Sequence, residues 1–344
     1  MGKFSFQIML TRRCPLECPY CYVRKNGRDM SRDIARRAVD FIFDKVGVND
    51  RLFFNITGGE PFLLQDTLQY VVRYVLMKST SARLGDLLLY VNTSGYLTPR
   101  RSLLMSLADG NVAGYSFRVD VSIDGPPEFH DKCRRTRGRG TYDRVIKNAL
   151  YIKKYVPVLV RSVLYPEALQ NEDLVIEWFY EMLSKGFWMF EMGLEMGLYF
   201  EYPQEFYALY DKLMSDVIDS IAEEMANGRF VLLHPVASNL LLYASSGKPV
   251  AAGDPLPCGA GKTRFTVDVD GRVYPCTLFL EMAPEDGLLG DLITGVSERA
   301  YTYPCPLSEY DVGPVGEKYA EMLRKALERR GVLEEYLAAA RQWV

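Results

Sequence analysis

The sequence lacks the features that mark membrane, secreted and nucleic-acid-binding proteins. No apolar run approaches the length of a membrane span, and the N-terminus has no apolar core of a signal peptide. Its 41 basic and 44 acidic residues leave a net charge of −3, which gives no electrostatic reason to bind nucleic acid or an anionic membrane. We therefore expect a cytoplasmic protein that binds neither nucleic acid nor membrane.

Cysteine is scarce, with seven among 344 residues, yet three of the seven stand in one short segment. Cys14, Cys18 and Cys21 follow the first apolar run in the spacing C-x3-C-x2-C. Because cytosolic thiols stay reduced, such clustering indicates metal ligands or redox groups before disulfides. A structural zinc site would need four closed ligands, and the nearest further candidates are Cys133 and His130. Three thiolates alone suit a four-iron cluster with one iron open to an exchangeable ligand.

Short apolar runs recur along the first two-thirds of the chain, at residues 4–10, 51–57, 86–94, 116–124, 156–164 and 187–196. Segments of helical periodicity separate them. This alternation predicts an α/β fold with a parallel sheet, either an incomplete β/α barrel or a doubly wound sheet. Farther along, the pattern predicts a long helix from Pro203 to Asn227, a hairpin at 264–276 and an amphipathic helix at 317–342.

Polar residues in several of the predicted strands share one face, opposite apolar residues that would pack against helices. In the fourth run, Asp120 and Ser122 alternate with Val119 and Val121. The same split separates Asn55, Thr57, Asn92, Ser94, Glu191 and Glu195 from their apolar neighbours. In a barrel these polar faces would line a lumen, with the active site at the carboxyl ends of the strands. An antiparallel sheet with one wet face is the alternative, and the intervening helical segments disfavour it.

The cysteine segment, with Tyr20 before its last cysteine, resembles the signature of the radical SAM superfamily. The resemblance implies a partial (β/α)6 TIM-like barrel over residues 1–200, in which Cys14, Cys18 and Cys21 hold a [4Fe-4S] cluster. The open iron would bind the amino and carboxylate groups of S-adenosyl-L-methionine. Reductive cleavage of that molecule then gives a 5′-deoxyadenosyl radical that abstracts hydrogen. A ferredoxin- or flavodoxin-type protein would donate the electron.

A glycine motif follows the second predicted strand, TGGEP at residues 57–61. Taken alone it predicts an ordinary tight turn, in which glycine permits positive φ and close backbone approach. It also resembles the superfamily's GGEP motif, which implies that Gly58, Gly59 and Glu60 bind the amino end of S-adenosylmethionine. NTSGYL at 92–97, which begins at Asn92, is similar to the third-strand element, although the usual TNG is altered here.

The segment SIDGPPEFHDKCR at 122–134 resembles the fourth-strand region of the SPASM/twitch branch, which includes peptide-modifying enzymes and anaerobic sulfatase maturases. The resemblance implies that Ser122 contacts the ribose. It also implies that Arg134 contacts S-adenosylmethionine, and a guanidinium suits a carboxylate well. Arg135, Arg137 and Arg139 are otherwise typical of a solvated loop.

Three later cysteines predict a second metal site. Cys258 and Cys276 flank a hairpin similar to the start of the SPASM/twitch extension, and Cys305 follows. The further cysteine-rich stretch of a full SPASM domain is absent from the sequence, so the resemblance implies a twitch-like domain with one auxiliary iron–sulfur cluster. Its fourth ligand would be an oxygen, a histidine or a substrate on an open iron. Buried structural cysteines are the alternative. We expect residues 201–250 to form a helical connector and residues 251–344 this auxiliary domain with its C-terminal helix.

Together these resemblances predict a radical SAM oxidoreductase that oxidatively modifies a peptide or protein side chain. Modification of a small molecule, as in porphyrin or cofactor biosynthesis, is the first alternative, and a non-catalytic iron–sulfur electron carrier is the second. A carrier needs no nucleoside site, so the motifs at Gly58, Ser122 and Arg134 argue against it.

Sulfatase maturases usually carry an aspartate base after the second hairpin cysteine. Thr277 stands there and cannot accept a proton at neutral pH, so we expect a different substrate. The chain begins at the first predicted strand without a leader-binding module. A peptide substrate is therefore only slightly preferred over a small molecule.

The proton released during oxidation predicts a carboxylate base on the polar face, and the candidates are Asp120, Glu191 and Glu195. Glu191 and Glu195 lie toward the end of the sixth predicted strand, where desolvation would raise the pKa of a carboxylate. Asp120 lies deeper, which favours pairing with Arg118 or Arg161. Ordinary salt bridges on a wet face are the alternative for both glutamates.

Overall fold

Strands and helices alternate through the first two-thirds of the chain. The computed structural model describes residues 2–194, 202–238, 240–241, 259–297 and 313–343, with the side chains of 313–317 left out. The strands are β1 (Lys3–Met9), β2 (Arg51–Thr57), β3 (Asp86–Thr93), β4 (Ser116–Ser122), β5 (Arg135–Thr136), β6 (Arg139–Gly140), β7 (Val158–Leu164), β8 (Met189–Leu194), β9 (Leu232–His234), β10 (Arg264–Val267), β11 (Arg272–Tyr274), β12 (Gly290–Asp291) and β13 (Gly295–Val296). The helices are α1 (Arg32–Phe43), α2 (Gln65–Ala82), α3 (Arg101–Val112), α4 (Pro127–Cys133), α5 (Tyr142–Ile152), α6 (Pro166–Gln170), α7 (Glu172–Ser184), α8 (Gln204–Ala226), α9 (Thr277–Met282), α10 (Gly313–Arg329) and α11 (Leu333–Ala340), with a 3-10 turn at Pro61–Leu64.

One 11-stranded sheet runs through the molecule in the order β13-β12-β11-β10-β1-β2-β3-β4-β7-β8-β9. Every neighbouring pair from β10 to β9 is parallel, and β10 through β13 form an antiparallel extension at one edge. The predicted parallel sheet is confirmed, and the antiparallel alternative is wrong for its six predicted strands. Because the strands are parallel, their carboxyl ends meet at one edge, where the cysteine segment follows β1.

The register of the sheet separates an apolar face from a polar one, as the alternation predicted. Phe6 of β1 lies beside Phe54 of β2, and Ile8 lies beside Ile56. These side chains are completely buried in the core. On the opposite face Gln7 lies beside Asn55, whose amide donates to the Gln7 side chain at 3.0 Å. The polar residues therefore line the interior while the apolar residues pack under the helices.

The sheet continues across the domain boundary predicted from the sequence. Residues Leu232–His234 form a strand that pairs with β8, although the region 201–250 was predicted to be a helical connector. The predicted hairpin is present, and its first strand pairs in parallel with β1 from Ser5↔Arg264 to Ile8↔Val267. A three-residue strand is too short to show periodicity, and pairing between distant segments has no local signature.

The predicted helix boundaries hold where local signals exist. Ser31 caps α1 by accepting a hydrogen bond from the Ile34 amide, and Pro203 precedes α8. The single C-terminal helix predicted for 317–342 is instead two helices, because Gly331 adopts a positive φ of 72° between them. None of the helices in the described ranges is long and apolar enough to cross a membrane.

The C-terminal residues close the amino-terminal end of the strands, opposite the cysteine segment. The Trp343 carbonyl accepts a hydrogen bond from Arg118 at 2.9 Å, and the Gln342 carbonyl accepts one from the Ser116 hydroxyl at 2.9 Å. The Trp343 ring also packs 5.5 Å from the ring of Trp188. The interior therefore opens at the carboxyl ends of the strands, where the site lies.

Candidate cofactor and active site

A cavity of about 490 Å³ lies at the carboxyl ends of the parallel strands. Its wall includes Cys14, Cys18, Tyr20, Cys21, Gly58, Gly59, Asn92, Ser122, Arg134, Arg161, Glu191 and Thr277. Segments that are far apart in the sequence thus meet around one space, as the parallel topology predicted.

The cysteine segment forms a loop that leaves β1 and returns to it. The Arg12 amide donates to the Arg28 carbonyl at 2.8 Å, and the Met30 amide donates to the Leu10 carbonyl at 2.8 Å. Burial raises the pKa of the Cys14 thiol to about 12 and also raises that of Cys18. Without a metal these thiols are protonated at neutral pH, so ligation would release protons.

Gly58 and Gly59 bring the turn after β2 into direct contact with the cysteine loop. A Cβ atom at Gly58 would lie 2.4 Å from the Thr11 carbonyl oxygen, and one at Gly59 would lie 2.2 Å from that of Arg13. The Gly59 amide donates to the Thr11 carbonyl at 2.7 Å. Glycine is required here because the two backbones approach too closely for a side chain.

Glu60 lies behind the cavity wall and not at its surface. Its side chain is fully buried, and its carboxylate accepts hydrogen bonds from the Phe62 amide at 3.0 Å, the Thr93 hydroxyl at 2.7 Å and both the amide and the hydroxyl of Ser94. Burial raises the pKa of Glu60, and these hydrogen bonds oppose that effect. The lone pairs of both oxygens are used. Glu60 therefore fixes the ends of β2 and β3, and its contact with S-adenosylmethionine stays a prediction.

Asn92 retains an unused acceptor at the cavity. Its amide nitrogen donates to Asn55 Oδ1 at 3.1 Å, whereas its Oδ1 atom is buried without a partner among the described residues. A buried polar atom without a hydrogen bond is costly. Asn92 Oδ1 is thus suited to accept a hydrogen bond from a bound ligand.

Arg134 supplies positive charge at the wall formed by the end of β4. Its Nε donates to Asp124 Oδ2 at 2.8 Å, and its guanidinium lies 5.5 Å from the centre of the Tyr20 ring. The Tyr20 hydroxyl also donates to Asp124. Burial opposes the charge on Arg134, but Asp124 outweighs burial and holds the pKa of the guanidinium well above its usual range. Arg134 therefore stays cationic and can face an anionic group.

The candidates for a zinc ligand beside the loop serve the structure instead. His130 Nδ1 accepts from the Asp124 amide at 3.2 Å, and its Nε2 lies 3.1 Å from the Thr141 hydroxyl, which itself donates to the Arg134 carbonyl. Both ring nitrogens are used, and burial lowers the pKa of His130 to about 4. Cys133 is buried, and burial raises its pKa to about 12.

The comparisons with known proteins identify the family. The model of the Radical SAM superfamily matches residues 8–178, which contain the cysteine loop, the glycine turn and the Arg134 wall. The chain belongs to the radical SAM superfamily. This superfamily membership makes the protein an enzyme, and its fold is the TIM-like α/β fold predicted from the sequence.

Relatives of this radical SAM enzyme share most of its length at low identity. An uncharacterized protein of Archaeoglobus fulgidus is 23% identical over 82% of this chain and 65% of its own length. A cysteine-type anaerobic sulfatase-maturating enzyme of Clostridium perfringens is 27% identical over 78% of this chain and 72% of its own. The solved structure of native anSMEcpe with bound AdoMet and Kp18Cys peptide superposes with a TM-score of 0.66 at 22% identity, covering 98% of this chain and 83% of that one.

The described residues fit the [4Fe-4S] cluster and S-adenosylmethionine of a radical SAM enzyme. Cys14, Cys18 and Cys21 line one cavity, and three thiolates suit a four-iron cluster in which each binds a separate iron. Arg134 and Asn92 Oδ1 would supply a cation and an acceptor for the zwitterionic end of S-adenosylmethionine.

The raised pKa that the sequence predicted for the carboxylates of the lumen is not found at Glu191. Glu191 Oε2 lies 2.8 Å from Arg161 Nη2 and 3.4 Å from His234 Nδ1. Burial opposes its ionisation, but Arg161 and His234 outweigh burial and hold the pKa of Glu191 well below its usual range. The raised pKa is therefore wrong for Glu191, because β7 places Arg161 directly beside it.

The remaining predicted residues are Asp120 and Cys276, which the structure describes, and three that it does not. Asp120 pairs with Arg118 at 2.8 Å deep in the interior, which confirms the structural pairing predicted for it. Glu195, Cys258 and Cys305 lie outside the described residues. Cys276 immediately precedes α9. The sequence analysis missed His234, because a lone histidine on a three-residue strand carries no recognisable pattern.

Proposed function

We propose that this radical SAM enzyme oxidatively modifies a side chain of a peptide or protein. The main support for this proposal is the cavity at the carboxyl ends of the strands. Besides the residues expected to bind the cluster and S-adenosylmethionine, its wall contains polar groups that are free to contact a substrate. Arg161 and Glu191 form its far wall, and Thr277 of α9 reaches it from the C-terminal segment. The peptide in the related anSMEcpe complex supports a peptide substrate.

The chain's own residues would divide the work as follows. Cys14, Cys18 and Cys21 hold the cluster, while Arg134 and Asn92 orient S-adenosylmethionine, with Ser122 beside them on the cavity wall. Together, the bound groups supply hydrogen-atom abstraction at an unreactive carbon. Thr277 and the Arg161–Glu191 pair then position the substrate.

The proton released by oxidation requires an acceptor in the same space. Thr277 cannot serve, because a hydroxyl does not accept a proton at neutral pH. The carboxylate of Glu191 faces the cavity, and its Oε2 atom lies 3.4 Å from His234 Nδ1. We assign proton uptake to Glu191, with Glu195 as the second candidate. Glu191 can accept the proton only once the substrate separates it from Arg161, because that ion pair holds its pKa well below the usual range. The same absence of an acidic group at position 277 supports a substrate other than a sulfatase.

The remaining partners belong to the same proposal. Cys258, Cys276 and Cys305 would hold one auxiliary iron–sulfur cluster, which accepts the electron left on the substrate after hydrogen abstraction. A ferredoxin- or flavodoxin-type protein would deliver the electron that starts each turnover.

One experiment tests the proposed function. Anaerobically reconstituted, reduced enzyme is incubated with S-adenosylmethionine and with short peptides encoded beside its gene, and the products are followed by mass spectrometry. We expect 5′-deoxyadenosine and a peptide that has lost two hydrogens in equal amounts. A small-molecule substrate is supported instead if porphyrin precursors stimulate deoxyadenosine formation and peptides do not. No deoxyadenosine from fully clustered enzyme would contradict the radical SAM chemistry itself.

A further inference from the structure

A buried ion pair links the cysteine loop to the C-terminal hairpin. Arg12 follows β1 and Asp268 follows β10, and these two strands are parallel neighbours. Arg12 Nε lies 2.8 Å from Asp268 Oδ1, and the two residues are only 4% and 8% exposed. The pair therefore joins segments that are more than two hundred residues apart at the edge of the sheet where the loop begins.

Glu281 in α9 contacts both ends of the same loop. Its Oε1 atom lies 3.0 Å from Arg12 Nη1, and its Oε2 atom accepts a hydrogen bond from the Arg24 amide at 3.1 Å. Arg12 Nη1 also donates to the Arg24 carbonyl at 3.1 Å. Glu281 is 4% exposed. One buried carboxylate thus fastens the residues that flank all three cysteines of the loop.

The charges of Arg12, Asp268 and Glu281 favour a role in positioning the cysteine loop over a contribution to the stability of the fold. Asp268 and Glu281 place two negative charges beside the single positive charge of Arg12. The hydrogen bond from the Arg24 amide to Glu281 offsets part of the excess negative charge. Buried ion pairs seldom stabilise a fold more than apolar residues would, whereas they do specify one arrangement. The pairing of β1 with β10 already joins the two segments without them.

We propose that Glu281 is a positioning residue that holds the cysteine loop closed, and that Asp268 assists it by orienting Arg12. Because Cys276 immediately precedes α9, the same six-residue helix would connect the loop to the proposed auxiliary site. This coupling between the two sites rests on the proposed function, whereas the closure of the loop does not.

The test uses hydrogen–deuterium exchange on the full-length, metal-free protein. In Glu281→Gln the Arg24 amide loses a charged acceptor, and we expect it to exchange about tenfold faster. Asp268→Asn leaves the Glu281–Arg24 contact in place, so the Arg24 amide should keep most of its protection. Glu285→Gln, an exposed change just beyond α9, is the matched control. Unchanged exchange at Arg24 in Glu281→Gln would overturn the proposal.

A second readout uses the reconstituted protein. The rate at which a chelator removes iron should rise several-fold in Glu281→Gln and less in Asp268→Asn. It should stay at the wild-type value in Glu285→Gln. Loss of global secondary structure in Glu281→Gln would instead assign the carboxylate to folding and overturn the positioning role. A wild-type enzyme that cleaves no S-adenosylmethionine would contradict the proposed function while leaving the exchange result intact.

Discussion

At the residue scale, the site is a set of ionisable groups whose partners and burial set their charge before the substrate binds. Arg134 stays cationic because Asp124 faces it, and Glu191 stays anionic because Arg161 and His234 face it. His130, the only other histidine in the sequence, stays neutral because it is buried. Each group is thereby suited to a different task around one cavity.

The first prediction concerns the contact of Arg134 with S-adenosylmethionine. Arg134→Lys keeps the positive charge near Asp124 but removes the planar fork that binds a carboxylate in two places. We expect the dissociation constant for S-adenosylmethionine to rise about tenfold or more, with iron content unchanged. Isothermal titration under anaerobic conditions measures it, and Arg137→Lys in the exposed hairpin is the control. Equal affinity in the two variants would remove Arg134 from the binding site.

The second prediction separates hydrogen abstraction from proton uptake. In Glu191→Gln we expect 5′-deoxyadenosine to form at a near-normal rate while modified substrate falls by a factor on the order of a hundred. His234→Gln should show the same separation, because it removes the ring whose Nδ1 atom lies 3.4 Å from Glu191 Oε2. Parallel assays of both products measure the split. Full product yield from both variants would transfer the role to Glu195.

The same carboxylate predicts a pH dependence of stability. The pKa of Glu191 is lower in the folded than in the unfolded state, so its contribution is present above the unfolded value and is lost as pH falls toward the folded one. Wild type should therefore lose stability relative to Glu191→Gln as pH falls below about 4. Urea unfolding at a series of pH values measures the difference. A difference that is independent of pH would contradict the ion pair.

At the element scale, the cysteine loop depends on the turn that packs against it. Gly59 approaches the Arg13 carbonyl so closely that any side chain must displace the loop. Glu60 then fixes the same turn to the end of β3. The glycines of this motif are needed for the shape of the loop as much as for a ligand.

The third prediction follows from this close approach. Gly59→Ala should abolish stable cluster assembly in the N-terminal site, because its Cβ would lie 2.2 Å from a carbonyl oxygen. If the auxiliary cluster is present, about half the iron should remain, as in a variant with Cys14, Cys18 and Cys21 all changed to Ala. Gly47→Ala, where the added Cβ meets only a carboxylate oxygen at 3.4 Å, is the control. Normal iron content in Gly59→Ala would contradict the packing argument.

At the scale of the whole molecule, the C-terminal part of the chain contacts both ends of the barrel. The hairpin and α9 hold the cysteine loop at the carboxyl ends, and Trp343 closes the amino ends through Arg118. The last residues therefore contribute to the integrity of the barrel as well as to any auxiliary site.

The fourth prediction tests this closure. Arg118→Met removes one partner of a buried ion pair and leaves Asp120 uncompensated, so the free energy of unfolding should fall by about 3–5 kcal/mol. Arg329→Met breaks an exposed pair with Asp219 and should change it by less than about 1 kcal/mol. Urea denaturation measures both. An equally small change in the free energy of unfolding of both variants would mean that water solvates Arg118 and Asp120 in the interior.

The sequence by itself determined the elements whose signals are local. The spacing of Cys14, Cys18 and Cys21 predicted the cofactor family. The alternation of strands with helical segments predicted a parallel sheet, and the alternation within 116–124 predicted a strand with one polar face. Only the tertiary structure decided how distant residues act on one another. It paired Arg161 with Glu191 and so reversed the predicted pKa shift. It also filled the acceptor positions of Glu60 and joined Arg12 to Asp268 and Glu281. Periodicity reports which face of an element is buried, whereas a charge's pKa and partners depend on neighbours that no local pattern identifies.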